Sequence, residues 1–474
     1  MPVEQIYFGN DQRSGDHELA GASPLAVNVI TDGAGAVSRR PGITTWSGFP
    51  ASVAEDSPVE GLHAWKGHLY YVNGNRHLYR IDPDTAASVD LSTGGGPSYL
   101  AGTRRPVFAE TQFRLVIAGG GALEKVDYNE TVAERLGGSL PNASHVAALA
   151  SRLIVNDVTD TSTADRINYT ATGSAGNETV AGFKSAEARP DAIVALFSNS
   201  NELFVFGERS LQVFTPDANL QLAPQRTMSR GCAAGYSIIE SDESFAWFDE
   251  KRRFLLGEGR GAEEIGAPIA RTLDGISTVS DCFGFRWIAD QYDVLTWVFP
   301  SDGRSFAIQQ GGGWAQWHGW TTGQGHTLLP VRSHHYWPEE NVHLVGLADG
   351  SIAQLSTSAP TDLGETIKAE VLTGFMNRGT DAFKFCQSVR FMFKRGHTSS
   401  ATVAPQVLLS WRDSQGAFCS PTRMSLGVAS DPVFTVEVRS LGTYRARQWR
   451  LEFTDALDFV LVRCEETYAL GGQN

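Results

Sequence analysis

The chain has 474 residues, 42% of them hydrophobic, and a formal net charge of −14, which describes a folded protein with room for two or three domains and excludes a general, tight nucleic-acid binder. Its 49 glycines, 25 phenylalanines and 11 tryptophans, with no long run of Ala, Glu, Lys and Leu, favour many short strands over long helices. Five widely spaced cysteines, Cys232, Cys282, Cys386, Cys419 and Cys464, form no CxxC pair and argue against a disulfide scaffold or a cysteine zinc site.

The opening MPVEQIYFGN lacks the basic and apolar segments of a secretory signal, and no apolar run approaches the roughly 18 residues that span a bilayer. Neither signal-driven export nor membrane insertion is expected. Residues 1–22 are read as an N-terminal arm.

Residues 23–356 are predicted to form a β-propeller, because they repeat. HLYYVNGNRHLYRIDPD at 68–84 aligns without a gap on NELFVFGERSLQVFTPD at 201–217, matching Val72 to Val205, Gly74 to Gly207, Arg76 to Arg209 and Leu78 to Leu211. FRLVIAGGGALEKVD at 113–127 aligns on the first of these, with Gly119 on Gly74. The spacing from Gly74 to Gly119, and half that from Gly119 to Gly207, both lie in the mid-forties, the length of a four-stranded propeller blade. Further hairpins at 152–169, 244–258, 294–309 and 341–356 make seven, with GLHAW at 61–65 and ASVDLS at 87–92 as flanking strands of the first. Seven blades are favoured; six remain compatible if one hairpin belongs to an insertion. Gly74, Gly119, Gly207, Gly303 and Gly350 are the predicted repeat turns. A single blade cannot bury both its faces, so Trp65, Phe204, Phe206, Phe214, Trp247, Trp297 and Trp314 are predicted to pack between blades.

Composition turns polar, with Pro and Gly, at 357–366, which reads as a linker. Beyond it, KAEVLTGFMN, QSVRFMFKR, APQVLLSWRD, PVFTVEVRS, RQWRLEFTD and DFVLVRCEE are strand-like runs with period-two alternation. They predict a C-terminal β-sandwich or jelly roll over 367–474.

Candidate chemistry is sparse. GEGRG at 257–261, GGGP at 94–97 and GGGW at 311–314 read as turns, since no following helix completes a phosphate loop. His334 and His335, with His318, His326 and His343, are the best metal candidates, yet SHHYWPEEN reads as an exposed loop without further ligands. The pairs Asp249 with Glu250 and Glu263 with Glu264 are adjacent on strands and so point to opposite faces. No catalytic, cofactor or metal residue is assigned and no enzyme is expected. A carbohydrate-active propeller enzyme and a monomeric propeller interaction scaffold are the alternatives.

ARPDAIVALFSNSNELFVFGERSLQVF at 188–214 resembles the signature segment of the packaged-DNA stabilisation proteins, the head-closure or tail hub proteins, of short-tailed bacteriophages. SPLAVNVITDGAGAVSRRPGITTW at 23–46 resembles that family's opening, and LLSWRDSQGAFCSPTRMSLG at 408–427 with YRARQWRLEFTDALDFVLV at 444–462 its terminal sandwich. Two positions depart: Gln212 stands where an acidic residue is expected, and Asp413 to Gly416 replaces a denser Asp-Gly turn; both read as loop or surface. The resemblance implies a structural virion protein of the tail or neck, assembled in the host cytoplasm as a homohexameric ring beneath the portal and its adaptor protein. Such a ring would extend the DNA channel, help retain packaged DNA and dock tail needle, plug, fibre or spike proteins. It implies no cofactor, only non-specific proximity to DNA, and names no channel-lining residue.

Overall fold

The computed structural model describes residues 2–8, 26–48, 57–82, 84–92, 100–127, 133–173, 179–186, 191–199, 201–219, 221–242, 244–258, 260–395, 405–413, 416–427, 433–456 and 458–471. They are almost entirely strands and turns, with one short α-helix at Ala270–Asp274.

Six antiparallel four-stranded units, each from one continuous stretch of chain, are arranged as propeller blades. The first comprises Val59–Trp65, His68–Asn73, Leu78–Asp82 and Ala87–Asp90; the others occupy 107–135, 146–185, 193–228, 239–264 and 283–316. In every unit the repeating hairpin of the sequence supplies the two middle strands. Arg114–Ala118 and Arg152–Asn156 are buried at all five positions, on both faces, because each sheet lies between two others. Outer strands such as Ala262–Glu264 are exposed throughout.

Shared cores join each unit to the next. Trp65, Val72 and Leu115 pack between the first two, Val116 with Leu153 between the next two, and Ile154 with Leu203 after them. Phe206 meets Trp247, and Phe254 meets Trp297, at the following two interfaces.

A composite sheet closes the ring. Val331–Trp337, Val342–Leu347 and Ile352–Ser356 take a fourth strand, Gly42–Thr45, from the other end of the chain, with Gly42 opposite Ser356. Trp46, Trp337 and Leu344 of this sheet pack on Leu62 and Tyr71 of the first unit. A Cβ on Gly42 would lie inside contact distance of the Ala359 and Thr361 carbonyl oxygens, which are backbone and have no rotamer to change. Gly42→Ala is therefore expected to cost about 2 kcal/mol; thermal denaturation of the purified chain, with a lowered Tm as the outcome, checks it.

The C-terminal strands build two sheets. Ala369–Leu372, Gln448–Phe453, Gln406–Arg412 and Thr422–Ser425 extend the 283–316 unit through Ala26–Val27. Val433–Arg439, Lys384–Arg395 and Phe459–Leu470 lie side by side in the other, and Phe459–Leu470 pairs in turn with Val3–Gln5 and with Val37–Arg39, itself paired with Val29–Thr31. One core holds Val389, Phe391 and Phe393 of the second sheet with Leu409, Trp449 and Leu451 of the first. Residues 26–39, read from sequence as the start of the propeller, thus belong to these sheets. The 357–366 segment, read as a linker, carries the short paired strands Thr361–Asp362 and Glu365–Thr366, with Asp362 beside Ile43. Most of the predicted N-terminal arm, and GGGP at 94–97, lie outside the described residues.

Candidate functional site

Trp65, Phe204, Phe206, Phe214, Trp247, Trp297 and Trp314 are each at most 4% exposed. Phe204, Phe206 and Trp247 fall into one cluster, Trp297 and Trp314 into another, and Trp65 and Phe214 into two more. Phe254, absent from the predicted set, lies against both Trp297 and Trp314, with ring centroids 4.2 Å and 5.2 Å away.

Gly74 follows the strand His68–Asn73, whose end pairs with the start of the innermost strand, Asn73 opposite Val59. Gly207 likewise stands opposite Ile193. These repeat turns therefore lie at the end of the propeller where innermost strands begin. Gly303 and Gly350 have φ of +69° and +90°, a region glycine enters without strain. Gly119 leaves room for the Arg76 guanidinium, which a Cβ there would strike.

Arg76 fastens two neighbouring units at this end. Its guanidinium donates to the carbonyls of Leu100, Arg104 and Gly119 at 3.4, 2.8 and 3.3 Å and meets Glu60 Oε2 at 3.3 Å. Arg76→Met, which keeps the stem and removes the donors, is expected to cost about 2 kcal/mol and to accelerate amide exchange in 100–106, read by hydrogen-exchange mass spectrometry.

On the axis itself is a cavity of about 240 Å³, walled by the beginnings of the innermost strands and the loops before them. Glu60, Arg105, His145, Tyr236, Phe283 and His334 contribute from six different units. The Arg105 guanidinium lies 4.0 Å over the Phe283 ring and donates to the carbonyls of Glu60 and Arg332. His145 stacks on Tyr236 with centroids 5.1 Å apart. Burial pushes the Tyr236 hydroxyl up to about 12, the surrounding Arg104, Arg105 and Arg76 notwithstanding. It lowers Arg105 to about 10 and His145 to about 4. Sequence reading missed this constellation, because its members are dispersed over the whole chain. The signal was the repeat itself: Glu60, Arg105, His145, Tyr236, Phe283 and Arg332 occupy nearly the same place in successive units, or one unit further on.

The histidines correct the sequence reading. His334 and His335 lie on the innermost strand Val331–Trp337, and His343 on its neighbour, not in an exposed loop. His334 Nε2 is 3.0 Å from His343 Nδ1, and His343 Nε2 is 2.8 Å from the Ile288 carbonyl. His318 and His326 pair across a separate hairpin, their rings 5.4 Å apart. No group of three or more possible metal ligands converges among the described residues. Gln212, read as a surface position, is 8% exposed on the strand Leu211–Pro216. Asp413 is held by the Arg447 guanidinium through contacts of 2.6 and 2.9 Å.

An all-β ring of packed blades, tied to its own termini, defines a β-propeller scaffold. Residues 32–257, from the N-terminal strands into the fifth unit, match the model of the Phage_stabilise family, described as bacteriophage P22 Gp10, β-propeller. Over these residues the chain is similar to this family of bacteriophage structural proteins. No curated protein matches it significantly. Among solved structures it is similar to BamB from Moraxella catarrhalis, with a TM-score of 0.39 and 11% identity over 75% of this chain and 98% of that one. It is also similar to the extracellular domain of the putative one component system BT4673 from B. thetaiotaomicron, with a TM-score of 0.44 and 10% identity over 87% and 57%. For YCF48 from Cyanidioschyzon merolae the TM-score is 0.41, with 11% identity over 64% and 97%.

Proposed function

We propose that the protein is a structural component of the virion that helps retain packaged DNA in the head-to-tail connector of a short-tailed phage. The family match over 32–257 carries this reading. On it, the chain forms a homohexameric ring in the neck, beneath the portal and its adaptor protein, after assembly in the host cytoplasm. The ring extends the DNA channel and docks a tail needle, plug, fibre or spike protein. A net charge of −14 suits a wall past which DNA slides, because tight retention on a protein surface is rewarded by basic contacts. Heterologous contacts with cyclic closure are the natural way to surround a channel.

The composite sheet of 331–356 and 42–45 is read as a seventh blade, supported by its packing on the first unit. The two C-terminal sheets are read as a β-sandwich, supported by their common core. Electron microscopy of the purified chain mixed with portal and adaptor tests the assembly. Six-fold rings are expected; persistent monomers that ignore the adaptor would overturn it.

A further inference from the structure

We propose that the axial cavity of the propeller is a binding site for a small oxyanion of the phosphate class. The first ground is the polar wall, which holds an unpartnered hydroxyl. Asn156 Oδ1 accepts from the backbone N–H groups of Ser144 and His145 at 3.1 and 2.9 Å, which orients its amide so that Nδ2 donates to Ser144 Oγ at 2.9 Å. The same serine hydroxyl lies 3.1 Å from His145 Nδ1. His145, 4% exposed, stands in the cavity wall beside the Gly235 backbone, to which its ring hydrogen-bonds. Tyr236 Oη, in this wall, is buried without a partner, as is Nε of Arg332, whose carbonyl accepts from Arg105 just outside it.

The second ground is charge. Arg105 lies in the wall, and Arg76, Arg104 and Arg332 surround Arg105 or Tyr236 closely enough to act on their ionisation. Glu60 is the carboxylate among the lining residues, and its Oε2 already accepts from Arg76. A buried hydroxyl without a partner is costly, and the Arg105 guanidinium in the wall faces a single lining carboxylate, Glu60, that is already bonded to Arg76. A tetrahedral oxyanion answers both, offering several acceptors to divergent donors and charge-assisted bonds to arginine. The volume of about 240 Å³ takes such an ion and excludes a nucleic-acid strand.

Inorganic phosphate is the probe. The full chain is titrated by calorimetry, and its Tm is followed in phosphate against chloride at equal ionic strength and pH. A saturable heat and a saturable Tm rise are expected, since a ligand of the native state stabilises by mass action. Tyr236→Phe, which removes one hydroxyl, and Arg332→Gln, which removes a charge and three N–H donors, are expected to weaken binding about 5-fold or more. Arg439→Gln, on a side chain 74% exposed, is expected to change nothing. Arg105→Met is the harsher variant, and the first two carry the test if it does not fold. A linear, unsaturable gain in Tm with no heat would be general salt stabilisation and would overturn the proposal. Equal phosphate affinity in the wild type, Tyr236→Phe and Arg332→Gln would also overturn it, by placing the anion elsewhere.

Discussion

Lowering the pH from 7 to 5 is expected to destabilise the protein by several kcal/mol, read as a falling denaturant midpoint. The cause is a set of histidines kept neutral by burial. His145, His318 and His343 are each lowered to about 4 and His335 to about 3, burial being the largest cause in every case. His334 is lowered well below its ordinary value, by burial first and then by His343 and His335. Geometry enforces this at the His334–His343 pair. His343 Nε2 donates to the Ile288 carbonyl, so with both rings neutral its Nδ1 accepts from His334 Nε2 at 3.0 Å, and protonating both rings would set donor against donor.

The sign follows from depressed values in the folded state. Between an unfolded value near 6.5 and folded values near 4, the unfolded chain takes up protons that the native state refuses. This stability is complete above the unfolded value and is lost as pH falls through that window. For His145 and His343, 4% and 6% exposed, protonation costs on the order of 3 kcal/mol each. Glu124 works in the opposite sense: burial raises it to about 7 against the pull of Arg135, so its contribution is present at low pH and is lost as pH rises. Glu240, Asp249, Glu370 and Asp458, also raised by burial, act in the same sense as Glu124 and offset part of the histidine effect. Guanidinium unfolding at pH 7, 6 and 5 checks the balance, and a midpoint that stays level or rises on acidification would refute it.

Breaking the ion pair of Arg40 with Asp362 is expected to cost about 3–5 kcal/mol, because it leaves a buried charge without its partner. Arg40 is 1% exposed, and its guanidinium meets Asp362 through both carboxylate oxygens, at 2.5 and 3.1 Å. Its remaining donors reach Asn28 Oδ1 at 2.9 Å and the carbonyls of Pro41 and His318 at 2.8 and 2.9 Å. Asp362 also accepts from the backbone N–H of Ile43, on the strand that closes the ring. One side chain thus joins the N-terminal chain, the segment after the propeller and the hairpin at 318–328. Arg40→Met and Asp362→Asn should each lower the unfolding free energy by that amount. The double variant should recover part of the loss, since removing both charges removes the uncompensated one. Chemical denaturation measures all three; additive losses in the double variant would show that the two residues act separately.

The repeating hairpins were legible because a strand buried on both faces needs a dense apolar run, and a ring of equivalent sheets needs that run at nearly equal intervals. Leu69 to Val72 and Leu203 to Phe206 are such runs, and each forms the second strand of its unit. Phe204, Trp247 and Trp297 could be assigned to packing for the same reason: large apolar rings in a short-strand pattern have few other places to go. Gln212 and the His334 and His335 pair were misread because a polar residue in sequence does not reveal whether a neighbouring sheet covers it. In both cases a strand lies where a surface was expected.

By itself, the sequence determined the class of fold, the length of its repeating unit and the side chains between the sheets, because alternation, turns and aromatic content act over a few residues at a time. Only the tertiary structure decided what touches across the whole chain. Gly42 pairs with Ser356, Arg40 meets Asp362, and Arg105, His145 and Tyr236 converge on one cavity from separate units. Such contacts depend on ring closure, which brings together residues hundreds of positions apart, and no local pattern encodes which of them will meet.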